Sequence, residues 1–133
     1  MSPETTPPCA NCQRLQAQLD ALQARFDALL ADSCVRKPDV MPYARHVYHI
    51  YAIRAPHRDT IQQALQVQGI HTGIHYPIPV HLQPAYSDLG YKLGDFPVAE
   101  RMARECLSLP MYAELSEAQQ AYITTSLKQV RGE

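Results

Sequence analysis

The sequence predicts an α+β fold in which a short sheet packs against helices, preceded by an amphipathic N-terminal helix. Three observations carry this expectation. Residues 47–53 are rich in β-branched and aromatic side chains on both faces, as suits a buried strand. Three segments beyond them place apolar residues at helical spacing behind recognisable start signals. Among these, the run Gly69 to Pro84 carries two glycines and three prolines, which exclude regular structure.

Taken in order, the chain opens on a Pro/Thr-rich leader, Met1 to Pro8, without the basic start and apolar stretch of a secretion signal. Leu15, Leu19, Leu22, Phe26 and Leu29 follow, spaced 4-3-4-3, with Gln, Ala, Arg and Asp between them. That is an a/d heptad pattern over about two heptads, where a secure coiled coil needs three or four. A lone helix of this length is marginal in water, so its seam needs a partner. The expected partner is a second copy of the chain, giving a short homodimer through this coiled-coil-like helix; the alternative is the body of the same domain. Pro38 and Pro42 then interrupt a segment without periodicity. The expected organisation is a leader and helix over 1–32, a linker over 33–42 and a folded domain over 43–133.

Within that domain, Asp59 falls in the first turn of a helix whose inner face is Ile61, Ala64, Leu65 and Gln68, ended by Gly69. Pro97 opens the next helix, with Val98, Ala99, Met102, Ala103 and Cys106 on one face. Leu107 to Leu109 reads as a short strand. Ser116 and Gln119 form a capping-box pair before a last helix that turns Tyr122, Ile123, Leu127 and Val130 inward. No segment repeats another.

Composition narrows the function. A formal net charge of −1 offers no electrostatic case for nucleic acid or an anionic membrane. No apolar run approaches the roughly 20 residues that span a bilayer. A cytoplasmic protein with reduced cysteines is therefore expected. Cys9-Ala10-Asn11-Cys12 offers half a zinc site or a redox pair. Structural zinc wants four ligands, and Cys34, His46 and His49 stand at spacings that fit no common finger, so two free thiols are expected and no metal.

The chemistry concentrates in the irregular loop. His75 and Tyr76 stand between Gly73 and Pro77, so a stiff backbone presents them. Imidazole donates or accepts near neutral pH, and a phenol donates to phosphate or sugar oxygens. The plainer reading is that His75 and His81 only tie down loop carbonyls.

A set of separated motifs resembles the C-terminal region of the DegT/StrS-type sugar aminotransferases. They are His46-Val47-Tyr48-His49-Ile50-Tyr51, Arg58-Asp59, the loop itself, Ala85 to Tyr91, Gly94 to Glu100, and Leu107-Ser108-Leu109-Pro110-Met111. The likeness covers most of residues 43–130 and only the family's last quarter or so. It implies the small domain of a fold-type I aminotransferase that uses pyridoxal phosphate to aminate a nucleotide-linked keto-sugar. It further implies that His75 and Tyr76, with His81 behind them, contact substrate.

The resemblance also exposes what these residues do not provide. Lys37, Lys92 and Lys128 are the only lysines, and none has the context of the family's Schiff-base lysine. No glycine-rich turn is present to hold a phosphate. The expectation is a truncated aminotransferase with no catalytic residue and no cofactor of its own, inactive alone. Its partner would be an aminotransferase large domain or subunit; the alternative is a non-catalytic dimerisation or docking module. Lastly, Cys9 and Cys12 followed by Leu15, Leu19 and Leu22 resemble the zipper start of certain insertion-sequence transposases. That likeness implies an arm of separate origin, joined near Pro38.

Overall fold

A computed structural model describes residues 9–44 and 46–130; the leader Met1 to Pro8 lies outside the described residues. The elements run α1 (Ala10–Leu29), β1 (Tyr51–Arg54), α2 (Arg58–Val67), α3 (Pro97–Glu105), β2 (Cys106–Leu109) and α4 (Glu117–Gln129). Two 3-10 turns, Val80–Leu82 and Pro84–Leu89, shape the long loop before α3. This is the expected α+β mixture. No helix among the described residues is long and apolar enough to cross a membrane.

The centre is a two-stranded antiparallel sheet pairing Tyr51 with Leu109 and Arg54 with Cys106. Single bridges extend it on both sides, Gly73 to Ser108 and Arg36 to Arg54. Tyr51, Ile53, Leu107 and Leu109 are buried with Ile61 and Leu65 of α2 and Ile123 and Leu127 of α4. A capping box starts α4: the Gln119 amide donates to Ser116 Oγ, and the Ser116 amide donates to Gln119 Oε1. Gly69, at φ +75, closes α2 in the left-handed conformation that favours glycine.

Of the two partners open to the heptad seam, the structure places the chain's own domain against it. Leu22, Phe26 and Leu30 join the common core, and Phe26 stacks on Tyr51 with ring centroids 5.1 Å apart. Gln120, itself buried, donates to the Leu22 carbonyl at 2.9 Å, and Arg25 pairs with Glu117 of α4. Tyr51 Oη donates to Asp27 at 2.7 Å, and burial followed by that carboxylate pushes the phenol far above its usual range. The segment expected to be a linker is docked as well. Val35 is buried, Arg36 bridges β1, and Lys37 donates to the Asp27 carbonyl at 3.0 Å.

Three expectations are corrected. The strand begins at Tyr51 rather than Val47, because Tyr48 takes a positive φ of 46 and its amide donates to the His46 ring, leaving Val47 exposed. In α3 the buried residues are Glu100 and Ala103, while Val98 and Met102 face out. Cys106 belongs to β2. In α4, Ile123 and Leu127 are buried, but Tyr122 stays exposed and donates to the Gln68 carbonyl.

Candidate functional site

The loop after α2 is fastened to the sheet before it leaves it. Gly73 and Ser108 exchange backbone hydrogen bonds of 3.0 and 2.7 Å. Two residues on, His75 folds back so that its Nδ1 lies 2.9 Å from Ser108 Oγ. Glycine is required at 73 for that return: a Cβ there would stand 2.6 Å from His75 Cε1. Cys106, on the same strand, donates its thiol to the His75 carbonyl at 3.7 Å. One ring nitrogen is thus held by a buried hydroxyl, while His75 itself stays exposed. Tyr76, joined to His75 through a cis peptide, is 74% exposed and offers its phenol to solvent.

His81 belongs to a different network. Its Nε2 lies 3.1 Å from Glu100 Oε1, its ring packs on Phe96 at 4.7 Å, and its side chain is 8% exposed. The same Glu100 oxygen accepts from the amides of Gly94 and Phe96 at 2.8 and 3.2 Å. Burial alone would raise the Glu100 carboxyl. The two amides and His81 outweigh it and hold the group below the usual carboxylate range. A carboxylate so placed at the start of α3 organises the loop from inside.

Sequence reasoning singled out His75, Tyr76 and His81 as substrate contacts and gave no role to Ser108, Glu100 and Arg58, which hold the loop and α2 in place. Ser108 had one available signal, a lone hydroxyl between two leucines of a strand, where alternation turns it to the other face. Arg58 is buried and reaches from α2 to the carbonyls of Ala103 and Cys106 at 3.1 and 3.0 Å, tying α2 to the α3–β2 junction.

Beside His75 and Tyr76 opens a groove of about 260 Å³ that runs along Ile78, Val80, Met102 and Cys106. Its lining holds no lysine and no carboxylate, so the aldehyde and ring nitrogen of pyridoxal phosphate would find no partner there. Of the lysines, Lys37 is committed to Asp27, and Lys128 lies in the last turn of α4. The cofactor does not fit these residues alone. No group of three or more metal-ligating side chains occurs among the described residues. A larger cleft of about 570 Å³, between Ile70, Pro110 and the α4 residues Ala118 and Tyr122, takes in none of His75, Tyr76 and His81.

Comparison with known proteins follows this geometry. The model of the DegT/DnrJ/EryC1/StrS aminotransferase family matches residues 10–128, a span that includes α1. A pleiotropic regulatory protein of Geobacillus stearothermophilus is 54% identical over 82 residues, covering 62% of this chain and 22% of its own. The dTDP-3-amino-3,4,6-trideoxy-alpha-D-glucose transaminase of Streptomyces venezuelae is 33% identical over 121 residues, 85% of this chain and 32% of its own. Among solved structures, S. venezuelae DesV in complex with a ketimine intermediate superposes with a TM-score of 0.82 at 32% identity, over 89% of this chain and 33% of that one. The chain therefore spans between about a fifth and a third of the length of these relatives.

Proposed function

The chain belongs to the DegT/DnrJ/EryC1/StrS aminotransferase family, and from that premise we propose that it forms the substrate-facing end of a pyridoxal-phosphate-dependent sugar aminotransferase. Its sheet and helices make up the small-domain layer of that fold. The observation that carries this reading is the His75–Tyr76 corner, anchored to Ser108 from behind and open in front. His75 Nε2 and the Tyr76 phenol are placed to bond hydroxyl or phosphate oxygens of a nucleotide-linked sugar. His81 and Glu100 stiffen the loop without touching the ligand. The lysine, the acid for the ring nitrogen and the phosphate cradle are supplied by a large domain, so these residues alone do not transaminate.

That large domain is also the partner we assign to the exposed apolar side chains Ile78, Val80, Leu89, Leu93, Val98 and Met102, which cluster in sequence around the site. A chimaera tests the reading. Residues 10–128 replace the matching third of the S. venezuelae transaminase, and turnover is measured with pyridoxal phosphate, an amino donor and the dTDP-keto-sugar. The expected result is turnover that His75→Ala lowers about 10–100-fold. A folded, cofactor-loaded chimaera indifferent to His75→Ala would refute the assignment.

A further inference from the structure

Away from this site, Cys9 and Cys12 flank the start of α1. Cys9 is the N-cap residue, and its Sγ accepts from the Cys12 amide at 3.3 Å. The two sulfurs lie 3.0 Å apart in a hydrogen bond, and both thiols are exposed. The first turn carries no acidic residue, and the nearby charged side chain, Arg14, is cationic and bonded to Asn11. Adjacent sulfurs at the positive end of a long helix, with no acidic residue in its first turn, are arranged for thiol–disulfide exchange.

We propose that Cys9 and Cys12 form a reversible dithiol–disulfide couple that exchanges with small-molecule disulfides. The sulfurs are inequivalent. Its pairing with the Cys12 sulfur, then the hydrogen bond from the Cys12 amide, holds the Cys9 thiol below its usual range, while the same pairing pushes Cys12 up. Cys9 is therefore the attacking sulfur and Cys12 the resolving one. The Cys9 thiolate attacks one sulfur of the small disulfide, forming a mixed disulfide and expelling one thiolate. Cys12 gives up its proton, attacks the Cys9 sulfur and expels the second thiolate. The protein loses two electrons and two protons, and the small disulfide becomes two thiols. Oxidation replaces the hydrogen-bonded cap of α1 with a covalent staple across its first turn.

The test exposes the reduced chain to oxidised glutathione, traps free thiols by alkylation and reads each cysteine by peptide mass spectrometry. An internal Cys9–Cys12 disulfide should accumulate with no glutathione retained, at least about tenfold faster than Cys34, exposed but outside the pair, is modified. Dithiothreitol should restore both thiols. Cys12→Ser should arrest the reaction with glutathione held on Cys9, and Cys9→Ser, which keeps a good N-cap, should abolish the fast reaction. Equal rates at Cys9 and Cys34, or a lasting mixed disulfide on Cys9 in the unaltered chain, would overturn the proposal.

Discussion

The sheet and the loop beside it contain the same kinds of residue and use them in opposite ways. Around β1 and β2, apolar side chains point inward: Tyr51, Ile53, Leu107 and Leu65 are fully buried. From Tyr76 to Met102 most large apolar side chains are exposed, and the segment is held by polar anchors, Ser108 on His75 and Glu100 on His81, Gly94 and Phe96. Burial of apolar area stabilises the first region without help. The second keeps its shape through a few directed hydrogen bonds and leaves its apolar surface for something else to cover. The proposed function asks for the second kind of construction, since a segment facing substrate must have its positions fixed while its face stays open.

The comparison can be broken most forcefully at Phe26. Phe26→Ala removes a fully buried ring stacked on Tyr51 and should destabilise the chain by about 3–5 kcal/mol in denaturant unfolding. A small effect would mean that α1 is no part of the core. Glu100→Gln is expected to lower the midpoint less. It should also remove a pH dependence whose sign is fixed by the direction of the shift. The folded carboxyl lies below its unfolded value, so its contribution is complete above about pH 4.3 and is lost as pH falls through the folded value. Thermal midpoints across that acid range, with and without the substitution, would read this directly.

Gly73→Ala sharpens the contrast differently. The added Cβ meets the end of a ring that can swing away, so stability should change little while the Ser108 contact is lost. Nitrogen-15 shifts of the His75 ring would report the altered tautomer balance. The smallest effect is expected at Leu93→Ser, within about 0.5 kcal/mol in the isolated chain, because that side chain is 71% exposed.

Much of the fold was legible in the sequence because its signals are local. The capping box of Ser116, Gly69 after α2, Pro97 at the head of α3 and the stiffness of the His75 loop each depend on neighbours within a few residues. The failures involve distant partners. Periodicity turned Val98 and Met102 inward, but the amides of Gly94 and Phe96 draw Glu100 into that place. Ser108 lies far along the chain from His75, and no spacing rule connects them. The heptad seam was read as needing a partner, with a second copy of the chain expected, whereas the fold sets it against Tyr51 and α4 of the same chain.

Hydrogen exchange would test the division between the two regions most directly. Amides of Tyr51 to Arg54 and Leu107 to Leu109 should be protected in the chain alone, and those of 76–98 should exchange fast. Adding the isolated large domain of the S. venezuelae transaminase should raise protection at 76–98 and leave the cleft by Ile70 and Tyr122 unchanged. Protection gained at that cleft instead, or a loop already as protected as the sheet, would contradict the account.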